Sequence, residues 1–244
     1  FFSIIRNAIK HSKRVKYERE HKKFNKTDII TINEITKESS DNIVKIISGV
    51  NFLLLDVVNN LGYHDLSRFK KSLKTQQELE MVIDELKDNV FYYIKSLQDT
   101  NVEASKFYIL TLDYLQDMVQ SLAYITRTSH SHVSNNHKNL KFSQIRDLKG
   151  VQRDLDEVYN ELVKAFQASE FDSIQKLISN EKRVLDKIAD LLQKQIDRIR
   201  DTENSPKNSK LYFGILLETK TLTKTSIALL ELFKDYYEEA RQEF

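Results

Sequence analysis

Apolar residues recur at three- and four-residue spacing along most of the chain, the period of a buried helix face. Start and stop signals cut this pattern into six segments. Thr31-Ile-Asn-Glu34 has the form of a capping box, and helical spacing follows to about Leu61, where Gly62 is expected to end the first helix. Asp65 can cap a second, with Leu66, Phe69, Leu73, Ile83, Leu86, Val90, Ile94 and Leu97 on one face. Thr100-Asn-Val-Glu103 is another capping box and opens a third helix that runs into SHSHVSNNHK, residues 129–138. A fourth is expected over about 142–167. Ser169 with Asp172 is expected to start a fifth, running to about Asp201. Ser205-Pro206 supplies an N-cap and a proline at the first helical position for a sixth, which runs nearly to the end.

Three helices, a joint and three more helices suggest a duplication. A shift of 105 residues, with no gap, places Phe69 on Ile174, Leu86 on Leu191, Ile94 on Ile199, Phe107 on Tyr212 and Tyr108 on Phe213. It also places Ser121 on Ser226, Ala123 on Ala228 and Asp113 on Glu218. Few residues are identical, but apolar and polar character tracks. The expected fold is all-α: two tandem, related three-helix bundles of long antiparallel helices, at 27–133 and 142–244, with residues 134–141 as the joint.

Composition narrows the picture. Four glycines and one proline suit long helices, and 40% hydrophobic residues can build a core. Lys+Arg 38 against Asp+Glu 36 lacks the basic excess of a general nucleic-acid binder, so no nucleic-acid partner is expected. The absence of cysteine excludes disulfides and thiolate metal sites and fits a cytoplasmic location. No apolar run reaches the ~18–20 residues that span a bilayer; the longest, 46–58, is broken by Ser48, Asn51 and Asp56. Residues 1–26 stand apart. They begin apolar and then turn basic, with nine Lys/Arg opposed by Glu18 and Glu20. That is the pattern following a membrane span on its cytoplasmic side, near anionic lipid, and equally that of a solvated basic helix. A chain beginning at Phe1 is expected to be a soluble fragment of something longer.

Catalytic signatures are missing. Gly-x-Ser-x-Gly, the P-loop, Gly-x-Gly-x-x-Gly and His-Glu-x-x-His do not occur, and the single Glu-x-x-His, Glu18 to His21, falls in the basic lead-in. No enzyme is expected. The third helix carries the most informative acids. Asp113 and Asp117 lie one turn apart on one face, among Phe107, Leu110, Tyr114 and Ile125, opposite the stripe Tyr108, Leu112, Leu115, Val119 and Leu122. A helix apolar nearly all round is expected to be buried or to meet a second surface, where carboxylates need a cation, a hydrogen-bond network or a metal. Glu80, Asp84 and Asp88 form an acidic ridge on the second helix that could add oxygen ligands. Glu218 repeats Asp113, but Leu222 stands where Asp117 would recur. Asp113, Asp117, Glu80, Asp84 and Glu218 are therefore the candidate metal ligands, for Fe, Mn, Mg or Zn, with ordinary ion pairing as the competing reading.

Two three-helix repeats with acids four apart resemble the PhoU family of phosphate-signalling proteins. The resemblance extends to the PhoU-like domains fused to the cytoplasmic end of Pit-type or sodium–phosphate transporters. It rests on KFNKTDIITINEI, FYILTLDYLQDMVQSLAYI, VSNNHKNLKFSQIRDLK and SPKNSKLYFGILLETK, and covers about residues 15–240. It implies metal clusters held through acid-x-x-x-Asp motifs, which Asp113/Asp117 match, Glu80/Asp84 also fit, and Glu218 with Leu222 departs from. The basic lead-in would then be the link to a last transmembrane helix. The implied role is cytoplasmic control of phosphate uptake at the bacterial inner membrane, with the transmembrane portion of the same transporter, and a second copy of the chain, as partners. The alternative is a ligand-free scaffold or dimerisation module. The run holding His130, His132 and His137 has no acid between 118 and 146 and reads as the joint between units, with a pH response as its candidate property.

Overall fold

The computed structural model describes residues 32–96, 102–201 and 205–242, so the basic lead-in, Thr31, Leu97 and Thr100 lie outside it. The six segments become six helices: α1 (Ile32–Tyr63), α2 (Leu66–Ser96), α3 (Val102–Ser134), α4 (Phe142–Ala168), α5 (Ile174–Asp201) and α6 (Pro206–Gln242). A short 3-10 turn, Phe171–Ser173, leads into α5. Among the described residues there is no strand, and no helix is long and apolar enough to cross a membrane. The chain is an all-α helical bundle around one continuous apolar core.

The helix ends show how local chemistry sets the lengths. Gly62 lies inside α1 and does not stop it. The stop is His64, at φ 52, whose N–H donates to the Asn60 carbonyl. Ser169 likewise ends α4, at φ 56, instead of starting the next helix; the N–H groups of Ser169 and Glu170 close the last turn onto Phe166 and Ala165. A left-handed residue satisfies the last carbonyls whether or not it is glycine, and this position passed unseen because glycine is its usual signal. At the end of α3, Asn136 takes the left-handed conformation that asparagine tolerates (φ 53). At the start of α6, the Ser205 hydroxyl accepts from the Asn208 N–H at 3.4 Å.

The spacing of these ends is regular. Tyr63 and Ala168 close helices 105 residues apart, as do Ser96 and Asp201, and the left-handed residues His64 and Ser169 share that separation. Equivalent helices also pack on each other. α1 lies along α4 and α3 along α6, while α2 covers α1 and α3, and α5 covers α4 and α6. Asn51 meets Asp156, and an added Cβ on Gly62 would meet Ile145, so numbers rise on α1 as they fall on α4: the pair is antiparallel. Phe107 on Phe233, and Gly214 near Tyr124, show the same for α3 and α6. Asn51 Nδ2 donates to Asp156 Oδ1 at 2.7 Å across a separation of 105 residues. A residue that touches its own counterpart lies on the axis relating the two copies. The three-helix units therefore face each other about an internal two-fold passing beside Asn51 and Asp156.

Candidate functional site

α3 buries most of its circumference, with Phe107, Tyr108, Leu112, Leu115, Met118, Val119, Leu122 and Ile125 all nearly inaccessible. One strip stays in water: Ile109 (45% exposed), Asp113, Asp117, Gln120 and Tyr124 (46%). Asp113 and Asp117 are thus exposed, against the expectation that an apolar circumference would bury them. α1, α2 and α6 cover the rest of the helix and leave this strip largely open, with Tyr124 at its edge beside Gly214 of α6. Partial burial, and then the Asp113 charge one turn away, raises the Asp117 carboxyl above its ordinary range.

The other expected ligands do not join this pair. Glu80 is held by Arg127, Nη2 to Oε1 at 2.6 Å. Asp84 is exposed on α2 and Glu218 half-buried on α6. Lys87 reaches across from α2 to Gln116 at 2.7 Å. Among the described residues, no three His, Asp or Glu side chains already surround a common point as metal ligands would. The five acids are thus spread over three helices, with the pairs Asp113/Asp117 on α3 and Glu80/Asp84 on α2 and Glu218 on α6.

Two buried polar groups in the second unit went unseen in the sequence. The Asp147 side chain on α4 is 8% exposed and accepts from Arg198 at 2.7 Å, Lys194 at 3.3 Å and the Tyr212 hydroxyl at 3.4 Å. Burial, then the Asp147 carboxylate, drives the Tyr212 phenol well above its usual range, so it stays a donor. Gln195, bonded to Gln144, Ser209 and Arg198, continues the network among α4, α5 and α6. One carboxylate that accepts from three side chains on α5 and α6 clamps three helices together.

Glu181 on α5 is inaccessible, and the Ser226 hydroxyl of α6 donates to its Oε1 at 2.7 Å. Burial pushes its carboxyl up to about 8, against the smaller opposing pull of Ser226, and no cation offsets it. At neutral pH it is mostly a neutral acid. Its counterpart in the first unit is Gln76, also buried, and Ser226 answers to the buried Ser121. An uncharged side chain of one shape thus occupies both positions. The sequence did hold this signal, because Glu181 lies on the stripe of Ile174, Leu177, Ile178, Val184 and Ile188.

No protein-family model, curated protein or solved structure matches this chain. The site is therefore defined by its own geometry: an exposed acid pair on a half-apolar strip, and buried polar clamps in the second unit.

Proposed function

We propose that this chain is a PhoU-like cytoplasmic domain that controls the uptake of inorganic phosphate by a transporter to which it is fused. The observation that carries the reading is the pairing of Asn51 with Asp156 across 105 residues, which accords with the duplicated three-helix plan that the resemblance implies. In this reading the solvent-facing strip of Ile109, Asp113, Asp117 and Tyr124 is the working surface. It offers carboxylates to a divalent or iron-type metal and apolar side chains to the transmembrane portion of the same transporter or to a second copy. The basic lead-in runs beside the anionic inner leaflet of the bacterial inner membrane. Control requires that the ligand bind two states with unequal affinity, because a ligand indifferent to them shifts nothing.

Residues 27–244, expressed apart from the membrane portion, should co-purify with it from detergent extract, and should do so less well when Asp113 and Asp117 are both changed to Asn. No association under any metal or phosphate condition would sink the docking step.

A second reading, a ligand-free scaffold or dimerisation module, is favoured by the lack of three convergent ligands among the described residues. Elemental analysis of protein purified without chelators separates the two. Bound Fe or Mn that disappears in Asp113→Asn supports the first, and protein free of both, with no melting shift on adding either, supports the second.

A further inference from the structure

The internal two-fold allows the two ends of the bundle to be compared, and they are closed differently. At the α4/α5 corner, Phe166, Phe171 and Tyr237 form an aromatic plug, with ring centroids 5.4 Å apart for Phe166–Phe171 and 4.9 Å for Phe171–Tyr237. Their counterparts at the α1/α2 corner, 105 residues earlier, are Leu61, Leu66 and His132. There the plug is imidazole. His132, from the last turn of α3, is 6% exposed and packs edge-on against His137 of the joint at 5.1 Å and against His64 at 6.5 Å.

Two further observations give these rings a chemical direction. His132 Nε2 lies 2.9 Å from the Lys138 carbonyl. A carbonyl only accepts, so Nε2 carries the proton and Nδ1 keeps its lone pair. A metal-ligating histidine is usually held this way, with its other nitrogen donating to a backbone carbonyl. The second observation is the backbone of His64. It sits at φ 52, where glycine is the favoured residue, so an imidazole is kept there at a conformational cost.

We propose that His64, His132 and His137 form a binding site for one divalent transition-metal ion of the zinc, cobalt or nickel class. Two imidazoles on one tetrahedral ion, with metal–nitrogen bonds of ~2.0–2.1 Å, place their ring centroids roughly 5 Å apart. His132 and His137 already stand at that spacing. His64, half-buried at the corner and 6.5 Å from His132, completes the set only by moving inward, since the three rings do not yet surround a common point, and the fourth position is left to water as in three-histidine zinc sites. The ion would tie the α1/α2 corner to the joint between units, which are otherwise separate turns of chain. This site is distinct from the acids of α3 and stands whether or not they bind metal.

The experiment uses the untagged full chain, stripped with chelator and titrated with Zn²⁺ by calorimetry, with Co²⁺ absorption as a geometric readout. The parent should take up one ion per chain and show the ligand-field bands of four-coordinate cobalt. His64→Gly, whose backbone suits the left-handed position, and His137→Ala should each weaken binding at least tenfold while their metal-free melting curves stay cooperative. His130→Ala and the double change His11→Ala/His21→Ala should bind as the parent does. The proposal is overturned if the parent binds no stoichiometric Zn²⁺, if His64→Gly and His137→Ala bind normally, or if only the His11/His21 variant loses the ion.

Discussion

Replacing Glu181 with Gln isolates the energetics of the second unit in one atom pair. The parent buries a carboxyl whose pKa rises from 4.5 to about 8 on folding, with the Ser226 hydroxyl donating to it. Because the folded state holds this proton more tightly, it binds more protons than the unfolded state between those two values. Stability therefore falls as pH rises through that window, by up to about 1.4 kcal/mol per unit. Below 4.5 both states are protonated, and above about 8 both are ionised, so the slope vanishes at either end. Burial is essentially complete, so solvent screening does not reduce the effect. Integrated from the acid end, the loss is roughly 1 kcal/mol by pH 5 and roughly 3 kcal/mol by pH 7. Glu181→Gln keeps the shape and an acceptor for Ser226 but does not titrate. Gln76 shows that the first unit accommodates that side chain at the equivalent place. Urea unfolding of parent and variant, at half-unit steps from pH 5 to 8.5, reads the difference directly. Any constant cost of the amide shifts the two curves apart without changing their slopes. The variant should gain on the parent by about 2 kcal/mol between pH 5 and 7. Parallel curves would refute the claim that Glu181 is buried as a neutral acid.

Other consequences follow from packing and pairing. Asn51→Ala removes the amide that meets Asp156 on the internal axis and should cost about 1–3 kcal/mol in denaturant unfolding, with the melting transition still single. Phe233→Ala opens a hole among Phe107, Phe166 and Phe171 and should destabilise by about 3–5 kcal/mol on the same assay. Gly49→Ala drives a new Cβ into the Leu79 side chain, costing about 1–3 kcal/mol, and the double change with Leu79→Ala should cost less than the sum of the two single changes.

The helix plan was legible because it depends on periodicity, which is a local property. Pro206 and Ser205 marked a boundary by chemistry that acts within a turn. His64 and Ser169 were not legible as stops, because a left-handed cap leaves no signature when it is not glycine. The exposure of the acids is illegible in the sequence for a different reason. An apolar circumference says that a helix has neighbours but not which strip they leave open, and Asp113 and Asp117 lie on the strip that α1, α2 and α6 leave uncovered. His64 could not be tied to His132 and His137 from spacing, since only the packing of α1 against α3 brings their corners together. The shift of 105 residues was the exception. It is a long-range relation written in the sequence, and Asn51 and Asp156 meet across that same interval.

Initial uptake rates of radiolabelled phosphate test the proposed control of phosphate uptake most directly. Cells carrying the full-length protein are compared with cells in which it stops after residue 26, with equal amounts of the membrane portion verified by immunoblot. The regulatory reading expects a changed maximal rate, or a changed decline of uptake as external phosphate rises, in the truncated form. Superimposable uptake curves at every phosphate concentration would contradict it.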